Sequence, residues 1–182
     1  MQYQLSRDIP VTHEADVVVL GGGPGGLGAA VMAARAGADV LLVERYAGLG
    51  GMASFGEVHP FMGNHVDGKC LDRPIYIEWI RAMRPYLAPD SEFATVHSDE
   101  VTDRRDTMIV KDAAMLGAED LCLEAGAKLL YHHWLADVVQ DGERIDAVVL
   151  LSKSGYTAVK GKVYVDCTGD GDLAASAGCE FE

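Results

Sequence analysis

Apolar and polar positions along the chain alternate between two rhythms, and each rhythm marks an element. Asp16-Val-Val-Val-Leu20 is a short β-branched run with no polar interruption, the pattern of a strand buried on both faces. A glycine-rich turn over 21–26 follows, then the alanine-rich LGAAVMAARAG, which predicts a helix stopping at Gly37. Val40-Leu-Leu-Val43 reads as a second buried strand, so 16–43 is a β-turn-α-β unit, with parallel pairing through a right-handed crossover. Residues 52–73 carry no periodicity and read as loop. Pro74 opens a helix through Leu87, with Ile75, Trp79, Met83 and Leu87 on one face, and a second helix is predicted over about 109–125.

The grammar of "ARAGADVLLVE" (34–44) returns in "LEAGAKLLYHH" (123–133): helix end, glycine stop, small residue, apolar strand. The second copy predicts another crossover feeding a third parallel strand at Leu129–Tyr131. Apolar runs at 135–140, 147–151 and 156–160, divided by Asp141-Gly142 and Ser154-Gly155, predict an antiparallel meander. Val163–Asp166 reads as a returning buried strand, followed by a glycine-rich TGDGD and a short helix over 173–177. "SAGCEFE" begins the grammar a third time, and the chain is expected to be the N-terminal portion of a longer protein. The fold class predicted is α/β, a Rossmann-like domain with a parallel sheet, crossover helices and a β-meander.

Composition narrows the function classes. A net charge of −13 leaves no basic face for nucleic acid or an anionic membrane. The uncharged stretch from Val17 to Ala34 has the length of a membrane helix, but its six glycines and Pro24 would leave backbone groups unsatisfied in lipid. Cys70, Cys122, Cys167 and Cys179 lie far apart, which offers neither a zinc ligand set nor a disulfide framework and suits a reducing cytoplasm. Of 21 glycines, thirteen fall between Gly21 and Gly68, so that third of the chain needs backbone that approaches a ligand or takes positive φ.

Gly21-x-Gly23-x-x-Gly26 stands between a strand and a helix, the setting in which this pattern has a mechanism. Gly21 permits the tight turn, Gly23 lets backbone approach a pyrophosphate, and Gly26 lets helix pack on strand. The helix N-terminus then offers N–H groups and a positive dipole end to the phosphates, which an acidic chain otherwise lacks. Glu44 closes the second strand, where a carboxylate accepts both ribose hydroxyls and repels a 2′-phosphate. This leaves FAD and NAD both open. Glu44-Arg45 followed by the pair Gly50-Gly51 is the feature that separates them.

With that pair included, VVVLGGGPGGLGAAVMAARAGADVLLVERYAGLGGMAS resembles the start of FAD-dependent oxidoreductases of the glutathione-reductase-like, two-dinucleotide-binding-domain class. VYVDCTGDGDLAASAG resembles that class's Ala-Thr-Gly stretch, with Cys167 where alanine is usual. GGMASFGEVHPFMG together with DCTGDGDLA is most similar to the subgroup called the FAD-dependent oxidoreductase family. The resemblance covers most of the chain, strongly at 15–56 and 160–178 and weakly over 60–105. It implies that Gly21, Gly23, Pro24, Gly25 and Gly26 surround the ADP diphosphate, that Glu44 holds the adenosine ribose and that Arg45 covers the adenine side. It further implies that Gly50, Gly51, Met52 and Ser54 line the path to the ribityl chain and that Leu135 offers backbone to the adenine. Thr168 and Gly169 would lie near the nucleotide half. Asp170 and Asp172 would bond ribose or diphosphate-linked water, or Asp172 would N-cap the last helix.

The layout expected from this is a first part of the FAD-binding domain over 1–58, a loop and helix insertion opening the substrate region over 59–107, and the remainder of the FAD-binding domain over 108–182. The implied activity is transfer of hydride or electrons between a small-molecule substrate and FAD. A non-catalytic FAD- or ADP-binding subunit and an NAD-binding domain without flavin are the alternatives. No Cys-x-x-x-x-Cys pair supports a disulfide-reductase mechanism. His59, Asn64 and His65 follow the glycine pair; either histidine can act as a base or stabilise a reduced-flavin anion, against a reading as loop imidazoles that satisfy backbone. Arg81 and Arg84 either anchor a substrate carboxylate or line a solvated helix face. His132, His133 and Trp134 read as core or edge residues, and Cys70 as an ordinary small residue. A homo-oligomer, or a partner subunit supplying the remaining segments, is expected.

Overall fold

The computed structural model describes residues 3–4, 6–62, 65–66, 69–70, 73–93 and 107–180. Its centre is a six-stranded sheet in the order β5-β2-β1-β8-β7-β6. The strands are β1 (Val11–Leu20), β2 (Val40–Val43), β5 (Lys128–Leu130), β6 (Trp134–Asp141), β7 (Arg144–Ser152) and β8 (Gly155–Asp166), and a separate ribbon pairs β3 (His65–Val66) with β4 (Lys69–Cys70). Among the described residues four helices accompany them: α1 (Pro24–Arg35), α2 (Ile75–Met83), α3 (Lys111–Ala125) and α4 (Asp172–Ser176). β5, β2, β1 and β8 run parallel, and β8, β7 and β6 are antiparallel neighbours. The two crossovers read from the repeated grammar are therefore present, and both feed the parallel half of the sheet.

The strands are apolar without interruption because both faces are covered. Val19, Val40 and Leu42 face a core shared with Leu27 and Val31 of α1, Trp79, Ile80 and Met83 of α2, and Ala114, Ala118 and Cys122 of α3. Val18, Leu20, Leu41 and Val43, one position out of step, face a second core with Val148, Leu150, Val159 and Leu173. Trp79 enters the first core with its indole N–H donating to the Ala114 carbonyl at 2.8 Å, so burial leaves that donor paired. The segment read as an insertion thus lends α2 to the main core. Among the described residues, no helix is long and apolar enough to cross a membrane.

Several boundaries differ from the sequence reading. β1 starts at Val11 rather than 16, because its polar first half is held by backbone pairing with β8 (Val11 opposite Ala158) and not by burial. The runs at 156–160 and 163–166 form one strand, β8, which pairs antiparallel with β7 in its first half and parallel with β1 from Ala158 to its end. Gly161 is why the break was only apparent: a Cβ there would lie 2.9 Å from Val18 and 3.2 Å from the Tyr164 ring, so the missing side chain makes room for that ring. Finally, a 3₁₀ turn over Gly51–Ala53 runs into the start of the loop predicted over 52–73, and the helix read through Leu87 ends at Met83 before a second 3₁₀ turn at Pro85.

Candidate functional site

The site is built where β1, β2 and β8 end together. Gly21 leaves β1 with φ +98°, its N–H donating to the Val43 carbonyl at 2.8 Å, and a Cβ there would lie 2.2 Å from the Cys167 carbonyl oxygen. A Cβ on Gly26 would sit 1.8 Å from the Gly21 carbonyl oxygen, which is how closely α1 approaches the end of β1. Gly51, at φ +52°, faces Gly23 so closely that its Cβ would lie 2.8 Å from the Gly23 Cα. The Gly50 N–H donates to the Gly22 carbonyl at 2.8 Å, tying the glycine pair to the first turn. The result is a stretch of bare main chain assembled from two separate glycine motifs.

Gly23 is the N-cap of α1, and no side chain caps it. The first turns of α2, α3 and α4 carry Glu78, Asp112 and Asp172, whereas that of α1 holds no acid. Its positive dipole end is thus left free for an external anion, on a chain of net charge −13.

Glu44 stands beside this turn and is 6% exposed. One carboxylate oxygen accepts the Gly22 N–H at 2.6 Å and the other accepts the Tyr46 N–H at 2.8 Å. Its own N–H donates to Leu130, and its carbonyl accepts the His133 N–H at 3.1 Å. Each carboxylate oxygen keeps a further lone pair. Those lone pairs are at hand for the hollow that Glu44 lines together with Gly21, Arg45, Trp134, Leu135 and Thr168. Toward the other end of the glycine turn, a cavity of about 670 Å³ is lined by Gly25 and Gly28 of α1, by Phe61, and by Ile75, Tyr76 and Trp79 of α2. Phe61 packs at 5.7 Å from Tyr76 and 5.2 Å from Trp79, ring centre to ring centre.

The remaining candidates separate into groups. Leu135, Thr168 and Asp172 line the hollow with Glu44, whereas Gly169 and Asp170 are exposed on the adjoining turn. Asp172 does not cap α4: the N-cap is Gly171, at φ +73°, and Asp172 is the first helical residue, its N–H donating to Thr168 Oγ1 at 2.8 Å. Pro24 lines the larger cavity beside Gly25, and Met52 is 60% exposed next to Gly51. Ser54 is buried, and its hydroxyl donates to the Leu49 carbonyl at 2.6 Å, so it braces the Gly50 turn from behind. His59 is exposed, Asn64 lies outside the described residues, and of His65 and Cys70 only the backbone ribbon is described. Arg84 donates to the Ser91 and Phe93 carbonyls at 2.9 and 2.8 Å, so its guanidinium is committed to the chain's own loop.

Asp166 is the residue that sequence reasoning passed over. It ends β8 opposite Leu20, and one carboxylate oxygen accepts both the N–H and the hydroxyl of Thr168 at 3.0 and 2.8 Å. The other accepts the Ala174 N–H at 2.9 Å inside α4. Burial pushes its carboxyl up, but the N–H groups of Thr168 and Ala174 and the Thr168 hydroxyl outweigh that and hold it below the usual carboxylate range. Because the folded value is the lower one, this stabilisation is present above the ordinary value near 3.9 and is lost as pH falls through the folded value. Asp166→Ala is expected to cost about 1–3 kcal/mol in urea unfolding at neutral pH, and the difference from the parent chain should shrink in acid.

A family model described as FAD dependent oxidoreductase matches residues 16–182. Soluble pyridine nucleotide transhydrogenase of Escherichia coli is 30% identical over 106 residues, 55% of this chain and 22% of that protein. Dihydrolipoyl dehydrogenase of Manduca sexta is 51% identical over 47 residues, 26% of this chain and 10% of that protein. The chain therefore spans less than a quarter of the length of these curated relatives. Among solved structures, OxyS anhydrotetracycline hydroxylase from Streptomyces rimosus superposes with a TM-score of 0.63 at 22% identity, over 93% of this chain and 35% of that one, a likeness of fold. The matched model runs from the start of the buried half of β1 to the last residue, across both glycine motifs, Glu44 and the TGDGD turn, and the chain belongs to the FAD dependent oxidoreductase family.

Proposed function

We propose that this chain carries FAD along the line of the two hollows and serves hydride or electron transfer between that flavin and a small organic substrate. The ADP half would occupy the hollow at Glu44, with the ribose on the carboxylate, the adenine between Arg45 and Leu135, and Thr168 as a wall. The diphosphate would cross the bare main chain of Gly21–Gly26 and Gly51 at the uncapped end of α1. The flavin half would then reach the aromatic cavity beside Phe61, Tyr76 and Trp79, whose volume and apolar lining suit a fused ring. FAD supplies the redox chemistry; the chain's residues bind it, orient it and exclude water from its phosphates. The observation that carries this reading is the contact of Gly23 with Gly51, which joins the two glycine motifs into one surface of bare main chain that a Cβ on Gly51 would force apart.

We further propose a cytoplasmic location, on the wide spacing of the four cysteines along the chain. The residues that meet the substrate would come from further polypeptide or a partner chain, with His59 as the candidate base on this one. The test is reconstitution of the purified chain with FAD, FMN or NAD, followed by desalting and a visible spectrum. FAD is expected to be retained at about one per chain, with FMN and NAD lost. Retention of NAD in preference to FAD, or of no nucleotide, would overturn the reading.

A further inference from the structure

The chain has two tryptophans, and they sit in opposite circumstances. Trp79 is 3% exposed with its N–H paired, whereas Trp134 is 49% exposed and lines the hollow that holds Glu44. Its place is fixed by the chain that leads to it. His132 takes φ +57°, a left-handed conformation unusual for a residue with a side chain, and its N–H donates to the Tyr46 carbonyl at 3.2 Å. The next N–H, of His133, donates to the Glu44 carbonyl, and the His133 ring meets the Tyr131 carbonyl through Nδ1 at 2.7 Å. Trp134 then enters β6 opposite Leu151. The kink thus locks the indole's backbone to the backbone of Glu44 and Tyr46, on either side of the residue that carries the opposite lip, Arg45.

We infer that Trp134 is the base platform of this site: a purine whose ribose is held by Glu44 lies against the indole face. Three observations converge on it. A large flat aromatic surface is left half exposed at a concave polar site, which costs solvation unless a ligand covers it. Its neighbours in the hollow, Glu44 and Arg45, are hydrogen-bonding and planar groups suited to a nucleoside. A backbone in an unusual conformation, held by two hydrogen bonds to the Glu44 region, sets the distance between indole and carboxylate. Stacking of this kind is tolerant of the base, so it adds affinity for any purine nucleotide and leaves discrimination to polar contacts.

The inference rests on the nucleotide reading, and one experiment separates the two. ADP is titrated into the full chain while tryptophan emission is followed, and into Trp134→Phe and Trp134→Ala by calorimetry, with ribose 5-phosphate as the ligand that lacks a base. ADP is expected to quench the parent chain's emission and to leave Trp134→Phe, where only buried Trp79 emits, unquenched. Trp134→Ala should bind ADP about tenfold more weakly, with Trp134→Phe between the two and ribose 5-phosphate unchanged throughout. If ADP binds the parent chain and Trp134→Ala alike, or if the quench persists in Trp134→Phe, the platform is overturned while the nucleotide site stands. If ADP fails to bind the parent chain, both readings fall.

Discussion

Gly26→Ala is expected to lose at least about 3 kcal/mol of stability, at the upper end of what overpacking costs. The added carbon would lie 1.8 Å from the Gly21 carbonyl oxygen, which is backbone and cannot rotate aside. Relief requires α1 to lift from the end of β1, and that lift would also pull Gly23 away from Gly51. At a urea slope of about 1–3 kcal/mol/M the unfolding midpoint should fall by about 1–3 M. The control is Gly28→Ala, two residues on in the same helix, where a Cβ meets nothing within 4 Å. There the exchange should gain up to about 1 kcal/mol from helix propensity. Equal effects at the two positions would mean that the close approach of α1 to β1 is not what holds the turn.

Glu44→Ala carries the second large effect, and it acts on two quantities at once. The substitution leaves the N–H groups of Gly22 and Tyr46 without their acceptor in a site where Glu44 is 6% exposed, costing about 1–3 kcal/mol for each group left buried. It also removes the lone pairs offered to the ribose, at about 1.5–3 kcal/mol for each bond to a charged group. Since about 1.4 kcal/mol is a factor of ten, loss of both ribose bonds weakens ADP at least about a hundredfold. Urea unfolding without ligand and calorimetry with ADP measure the two parts separately. A variant destabilised yet unchanged in ADP affinity would make Glu44 a brace for the Gly22 turn and nothing more.

Much of this was legible in the sequence because the relevant signals are local. A β-branched run, a glycine turn and an alanine-rich helix each constrain their own backbone, and the same grammar at 123–133 reveals the second crossover. Glu44 was legible because its place at the end of a strand follows from spacing alone. What escaped depends on how the chain folds back on itself, at long range for β1 and within a few residues for Gly161 and Asp166. The polar start of β1 is strand only because β8 pairs with it, and Lys160-Gly161-Lys162 looks like a break until Tyr164 is seen to fill the space above Gly161. Asp166 looked like any strand-terminal acid, and its grip on Thr168 and Ala174 appears only once TGDGD folds back over it. Trp134 reads as a core or edge residue and does stand on the edge strand β6; that it also lines the hollow is seen only with the left-handed turn at His132 that ties its backbone to Tyr46.

The proposed seat of a nucleotide's diphosphate, on the bare main chain where the two glycine motifs meet, is tested most directly by the backbone amide spectrum of the ¹⁵N-labelled chain titrated with ADP. The account predicts that the largest shifts fall on Gly22, Gly23, Gly25, Gly26 and Gly51, saturating together with those of Tyr46 and Leu135. Saturable ADP binding that moves other amides and leaves these glycines in place would contradict it.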